Sequence, residues 1–498
     1  MRANDDAPTS TPSAPAGSSI VWFRDDLRLS DNPALTAAVE RGGPVIPLFV
    51  LDDESPGIRP LGGAARWWLH ESLSRLAAAL EERGTPMVIR RGPAADVVRD
   101  VLRESGAGAV FWNRRYGQAA RDVDAAIKTA GVDAGLEMHS FDAALLFEPW
   151  TVTNSSGDPF HVFTPFWRHC LTLGEPRAPL PVPPLAPAHP DPLATDRLED
   201  LALLPTHPDW AGGLREANDP GEAAALRRLD EFARNHLSAY PDQRNDPAAE
   251  GTSRLSPHLR WGEVSPFQVW HAVMSEARRD AGNEQLQQAT TAFLSEIGWR
   301  EFCYHQLFHS PDIARRNLNA RFDAFEWKDA DPAVLRAWQF GRTGFPLVDA
   351  GMRALWRDGT LHNRVRMVVA SFLIKNLRID WREGEEWFWD TLVDADEANN
   401  PANWQWVAGS GADAAPFFRV FNPVLQSHKF DAQGDYIREY VPELAHVPAP
   451  QVHEPWTLQQ DLVAKAEGED GGGYPAPIID LAASRREALA AFDRTATG

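Results

Sequence analysis

Cysteine is scarce in this chain: Cys170 and Cys303 are the only two in 498 residues, and neither sits in a CxxC or metal-ligand spacing. That excludes a disulfide framework and argues against a metal site, and it points to a reducing cytoplasm. Long apolar runs are missing as well; none approaches the roughly 20 residues that cross a bilayer. The first 18 residues are rich in Ala, Pro, Ser and Thr, contain Asp5 and Asp6, and lack the apolar stretch of a secretion signal. They read as a disordered tail, 1–18. Hydrolytic signatures are absent: there is no GxSxG, HExxH or Walker loop, and Gly409-Ser410-Gly411 is too short for a dinucleotide fingerprint. Positive charge is in deficit, 49 Lys and Arg against 70 Asp and Glu for a net −21. Any affinity for nucleic acid must therefore come from a local patch and not from the total.

Tryptophan is what the chain has in excess, 19 in all. Its length suits two folded units with a large core. From 19 to 149, short β-rich runs (20–23, 45–52, 86–90, 109–113, 136–141) alternate with helical patterns such as 64–84, which predicts a doubly wound parallel sheet with ligands at the carboxyl ends of its strands. Residues 176–220 hold 11 prolines, which forbid sustained helix, so 150–220 reads as an inter-domain connector. From 221 to 445 the pattern is helical throughout and carries 11 of the tryptophans. Residues 446–498 form a Pro- and Gly-rich extension with a late helical piece at about 479–493. The fold class expected is an α/β domain joined by a long connector to an all-α domain.

Charge is sharply segregated in the helical half. Seven basic residues against two acidic ones lie between 353 and 382, and seven acids with no base follow at 383–397. Two solvated faces would give the same switch. Within the basic stretch, LHNRVRM at 361–367 places Asn363, Arg366 and Met367 on one helical face, so a pocket beside it would present an amide, a guanidinium and a thioether. A buried Arg366 needs an anion, and Asp394 is a candidate. Met367 also suits plain core filling, and His362 a satisfied core histidine. GTSRLSPHL at 251–259 offers hydroxyls and amides near a helix start, which suit a phosphate or a simple cap. Glu296, Trp299 and Arg300 share a helical face that would also fit a core helix with an internal ion pair. In 393–406, Asp394, Asp396 and Asn400 could meet the N–H and acceptor groups of a heterocycle. These residues describe a polar, Trp-lined pocket for a flat, phosphate-bearing cofactor.

Several long stretches in order resemble the photolyase/cryptochrome family, over Ile20 to about Leu444: IVWFRDDLRLSDNPAL at 20–35, EGTSRLS, WREF, HNRVRM, DWREGE at 380–385, and NWQWVAGSGADAAPFFRVFNP at 403–423. The resemblance implies an antenna domain and a helical FAD domain, with FAD as cofactor. Tyr240, Thr252, Ser253, Leu255 and Ser256 then fall around the flavin phosphates and ribityl chain with Arg300 alongside. Asp394 and Asp396 fall at the isoalloxazine, Arg366 as partner of the first, and Asn400 facing flavin N5, where signalling plant cryptochromes carry Asp. Trp404, Trp381 and Trp327 match the electron-passing tryptophans, with Trp387 and Trp389 as a further branch.

The same resemblance bears on the substrate. Repair of 6-4 photoproducts implies two histidines on the helix face that here carries Asn363 and Met367. Glu296, Asn363 and Met367 match positions that contact cyclobutane pyrimidine dimers, Trp299 and Trp406 line the lesion side, and Phe293 stands where some relatives have Trp. Arg244, Arg364 and Arg419 match arginines that contact the DNA backbone. The expectation is a monomeric cyclobutane pyrimidine dimer photolyase acting on UV-damaged DNA, with no membrane association and no metal. A blue-light signalling cryptochrome and a 6-4 photolyase are the alternatives. A second antenna chromophore is expected near Asn113, Arg114, Arg115 and Tyr116; Gln118 replaces a Glu of some folate-binding relatives, and methenyltetrahydrofolate and 8-hydroxy-deazaflavin both remain open.

Overall fold

A computed structural model describes residues 17–185, 188–458 and 473–495. The tail expected at 1–18 lies outside them apart from its last two residues, as does 459–472 of the C-terminal extension. Each β-rich run forms a strand: β1 (Ser19–Phe23), β2 (Val45–Leu51), β3 (Val88–Arg91), β4 (Ala109–Asn113) and β5 (Glu137–Phe141). All pairings are parallel, in the order β3-β2-β1-β4-β5. The central strands β1, β2 and β4 are buried along their whole length, whereas the edge strand β5 has exposed positions. This follows from helices covering both faces of a parallel sheet. Val21 and Phe23 point into one layer with Trp67 and Trp68, while Ile20 and Trp22 point into the other with Val98 and Ile127.

Chain order reverses between β1 and β4, so their carboxyl ends frame a crevice. The crossover helices are set by local signals. Asn32 caps Pro33–Arg41 by accepting from the Leu35 amide, and Gly106, with φ 61°, closes Ala94–Ser105.

The helical half packs around two large cores and a smaller one, formed by Cys303, Leu307, Ile313, Ala398 and Ala402. One element of the expected connector belongs there: Phe163–Thr172 is a ten-residue helix whose Phe163, Phe166, Trp167 and Cys170 enter the core formed by Phe293, Ile297 and Phe302. Most of the connector's prolines come after it, and among the described residues from 176 to 220 the longest helix is the six-residue Gly212–Ala217. The late helix spans Leu481–Arg494 and is tied to the turn Phe372–Leu377 by Asn376 Nδ2 donating to Ser484 Oγ at 3.0 Å.

LHNRVRM does not lie inside a long helix. Gly359, with φ 66°, ends Pro346–Asp358, and His362 caps a new helix, Asn363–Ser371, by accepting the Arg364 amide on Nδ1. The stretch is a helix beginning, which is why its polar groups project at an end and not along a buried side.

Candidate functional site

Three helices bring the predicted residues together. Glu284–His309 carries Glu296, Trp299 and Arg300; Asn363–Ser371 carries Asn363, Arg364, Arg366 and Met367; Asn399–Ala408 carries Asn400, Trp404 and Trp406. The Glu296–Arg300 ion pair that the spacing allowed does not form; among the described residues Arg300 has only its neighbour Glu301 as an ion-pair partner, at 3.5 Å. Glu296 instead accepts from Arg244 at 2.6 Å, and Arg300 Nη1 donates to the Ala144 carbonyl at 2.7 Å with its guanidinium 4.9 Å from the Tyr304 ring. Trp299 lies flat on Phe163, with ring centroids 3.8 Å apart at 11°, and the two form a rigid aromatic wall.

Arg364 donates to Asn245 Oδ1 at 2.5 Å, packs over Phe430 at 4.5 Å and reaches the Met367 sulfur at 3.6 Å. Asn363 is exposed and Met367 half-buried, so both border open space. His362 is pushed down to about 4 by burial, with the Arg364 charge adding to it, so its ring is neutral at pH 7. Phe163 and Asn245 escaped sequence reasoning because each acts by pairing with a residue from another element.

Arg366 and Asp394 meet: Nη2 lies 2.9 and 2.7 Å from the two carboxylate oxygens, and Nε donates to the Leu361 carbonyl at 2.8 Å. Asp396 accepts the Ala398 amide at 2.8 Å and the Asn399 side chain at 2.7 Å, so it shapes the turn into the next helix. Pro401 sits in the first turn of that helix, where a missing N–H costs nothing.

Asn400 is 7% exposed, and its Nδ2 donates twice to Glu385, to the carbonyl at 3.0 Å and to Oε1 at 2.8 Å. With both amide hydrogens engaged, Oδ1 is the group it offers elsewhere. Glu385 lies in the DWREGE stretch, but nothing in the spacing announces its contact with residue 400.

The hydroxyl-bearing turn runs into the short helix Ser256–Arg260. Arg254 has φ 50°, and the Leu255 amide donates to Ser253 Oγ at 3.4 Å. Thr252 and Ser253 are half-buried, Ser256 is exposed, and Leu255 and Tyr240 are buried beneath them.

A family model described as DNA photolyase matches residues 19–185, and one described as the FAD binding domain of DNA photolyase matches 293–494. The deoxyribodipyrimidine photo-lyase of Agrobacterium fabrum is 51% identical over 473 residues, 95% of this chain and 97% of that protein. This chain belongs to the photolyase family. Its structure is similar to that of a bacterial class III photolyase from Agrobacterium tumefaciens, with TM-score 0.92 and 48% identity over 99% of this chain and 100% of that one. Cryptochrome-1 of Arabidopsis thaliana is more distant, 39% identical over 93% of this chain and 68% of that protein.

The tryptophans expected to pass electrons differ in burial. Trp404 and Trp381 are 2% and 0% exposed, and Trp327 is half-buried beside Phe325 at 4.5 Å. Gly384 allows the approach of Trp404: a Cβ there would lie 2.1 Å from the indole. Trp381 Nε1 donates to Asn317 at 3.0 Å, and Arg382 covers its ring at 4.6 Å. Trp387 stacks on the exposed Trp356 at 5.9 Å and 8°, and Trp389 lies under Arg59. Trp406 packs half-buried at the edge of the core, and Arg419 is exposed with its carbonyl held by Lys375 Nζ at 3.1 Å.

The crevice at β1 and β4 opens into a cavity of about 150 Å³ between the two halves, with Arg115, Tyr116, Arg260 and Glu397 among its lining. Gly117 admits Glu397 there, since a Cβ would lie 1.8 Å from its carboxylate. Burial, then Asp25, raises the Glu397 carboxyl. Gln118 faces solvent and bonds Asp122 and Arg121, so its identity does not shape the crevice. The archaeal photolyase of Sulfolobus tokodaii, 28% identical with TM-score 0.77 over 96% of this chain and all of that one, was crystallised with two FAD molecules.

Proposed function

We propose that this chain repairs DNA by splitting cyclobutane pyrimidine dimers under light, with FAD held in the helical half. The residues fit that group. Asn400 presents an acceptor because Glu385 takes both of its amide hydrogens, and reduced flavin carries a hydrogen at N5 that needs one. Arg366 and Asp394 form a fixed polar edge, and the 252–256 turn supplies hydroxyls and amides suited to phosphate. Bound and photoexcited in its reduced form, FAD supplies the electron that opens the cyclobutane ring and takes it back, so there is no net redox change.

The chain's own part is to bind and orient. Arg244, Arg364 and Arg419 meet the DNA backbone, whose contacts offset the few kcal/mol needed to extrude the damaged bases. Trp299 on Phe163 gives the extruded pair a flat wall, and Glu296, fixed by Arg244, faces its polar edge. The observation that carries this lesion class over the 6-4 photoproduct is the face of Asn363–Ser371: it presents Asn363 and Met367, and the adjoining His362 is neutral and spends Nδ1 as a helix cap. Asn400 in place of Asp, and the more distant match to Cryptochrome-1, favour repair over signalling. A second chromophore, methenyltetrahydrofolate or 8-hydroxy-deazaflavin, would lie along Asn113, Arg114, Arg115 and Tyr116 at the edge of the inter-half crevice, and extraction and mass spectrometry would tell the two apart.

The test is illumination of the reduced protein with DNA carrying each lesion and chromatography of the restored thymines. Restoration from the cyclobutane dimer alone is expected. Flavin-loaded protein that leaves that dimer intact refutes the assignment.

A further inference from the structure

Asn400 is anchored from outside the helical half. Glu385, which accepts its amide, is gripped in turn by Arg59 of the loop after β2: Nη1 lies 2.8 Å from Oε1 and Nη2 lies 3.0 Å from Oε2. The carboxylate is 4% exposed and the guanidinium 28%. We propose that Arg59 is a positioning residue for the flavin: contributed by the N-terminal half, it fixes Glu385 and through it keeps both Asn400 amide hydrogens engaged, so that Oδ1 is the group left for the cofactor. The inference rests on the reading that FAD binds in the helical half beside Asn400.

The loop is built to hold Arg59 still. The guanidinium lies 4.1 Å over Trp389, Trp389 Nε1 donates to the Pro60 carbonyl at 2.9 Å, and the Gly63 amide donates to Asp390 at 2.8 Å. Gly62 lets the two backbones touch, since a Cβ there would sit 2.2 Å from the Trp389 carbonyl. The other charges around Glu385 are engaged elsewhere or of the same sign. Glu383, Glu386 and Asp390 of its own helix line a shallow surface pocket of about 550 Å³ next to Arg59. Arg66 pairs with Asp53 at 3.2 Å, Lys375 serves the Arg419 carbonyl, and Asn399–Ala408 has no ionisable side chain.

A bidentate guanidinium leaves a carboxylate one orientation, and a charge-assisted acceptor holds an amide more firmly than a carbonyl does. Without Arg59 the carboxylate is buried uncompensated and turns toward the surface pocket, taking with it one of the two acceptors of the Asn400 amide. The side-chain amide torsion is broad, so Nδ2 then takes the place of Oδ1 toward the flavin part of the time. An N–H donor there favours oxidised flavin, whose N5 carries a lone pair, over reduced flavin, whose N5 carries a hydrogen.

The experiment is a spectroscopic redox titration of the flavin-loaded full chain and its variants. Arg59→Met should lower the flavin midpoint potential, moving the oxidised-to-reduced ratio at a fixed solution potential about fivefold toward oxidised, the size of one neutral hydrogen bond. Arg59→Lys should shift it less. If Arg59 acts through Glu385, the Arg59→Met/Glu385→Gln double variant titrates with Glu385→Gln alone. A yellow Arg59→Met protein that titrates with the parent, or a double variant showing the sum of the single shifts, overturns the proposal. Should Arg59→Met not fold, an unshifted Glu385→Gln overturns it equally. A parent protein that takes up no flavin defeats the underlying reading instead.

Discussion

Replacing Arg366 by Met should cost far more than replacing its partner. Asp394 is 4% exposed in its side chain and Arg366 28%, and the pair is joined through one guanidinium nitrogen to both oxygens. Arg366→Met leaves a carboxylate in a site that water scarcely reaches, a penalty of about 3–5 kcal/mol. Asp394→Asn leaves a guanidinium that still donates to the Leu361 carbonyl and touches solvent, so about 1–2 kcal/mol is expected. At about 2 cal/mol/K per residue, unfolding of the whole chain has an entropy near 1 kcal/mol/K, so these losses become roughly 3–5 °C and 1–2 °C in Tm. The Arg366→Met/Asp394→Asn double variant removes the stranded charge and should recover most of the larger loss. Thermal melts followed by circular dichroism at neutral pH, with flavin content read from the visible band, measure all three. Equal losses for the two single variants, or a double variant at their sum, would refute the claim that unequal burial sets the cost.

Other consequences follow from single contacts. Burial raises the Glu301 carboxyl from 4.5 to about 7, against the Arg300 charge and two amide donors, Leu146 and Phe147, that pull it down. An acid raised on folding stabilises fully below 4.5 and loses that contribution as pH climbs through 7, a swing of about 3 kcal/mol. Glu301→Gln, which keeps an acceptor for both amides, should therefore gain in Tm relative to the parent between pH 5 and pH 8; a constant difference contradicts the burial argument. Trp404→Phe should stop light-driven reduction of oxidised flavin and leave repair by chemically reduced protein largely intact. Persisting photoreduction would move the electron path to Trp387 and its stacked neighbour Trp356.

The N-terminal half was legible because its signals are local. An apolar run such as VIPLFVL has no way to satisfy a parallel sheet buried on both faces except as a central strand, and β2 occupies those seven residues. The helix Phe163–Thr172 was hidden inside a proline-rich region whose prolines come mostly after it. In the site, spacing put Asn363, Arg366 and Met367 on one face and nominated Asp394 as the anion, and the pair forms. The partners that came unannounced were Phe163 under Trp299, Asn245 under Arg364 and Glu385 under Asn400, at sequence separations of 136, 119 and 15. No periodicity encodes such meetings, because each depends on how elements distant in sequence pack together; Asn245 sits in a turn and not in a helix.

The partners of the site residues, foreseen or not, share a physical task. Glu296, Arg364, Arg366 and Asn400 all carry more hydrogen-bonding capacity than one ligand contact uses, and a flexible polar side chain beside a cavity would lose entropy on every binding event. Arg244, Asn245, Asp394 and Glu385 remove that freedom in advance by engaging the surplus donors and acceptors. What each site residue offers the cavity is then the remainder: one carboxylate edge at 296, one acceptor at 400, a thioether at 367 with a guanidinium 3.6 Å behind it. Under the proposed function, selectivity for a dimer with polar rims and an apolar ring would reside in those remainders as much as in residue identity. A substitution two shells from the lesion can therefore change what the pocket recognises without touching anything that binds there.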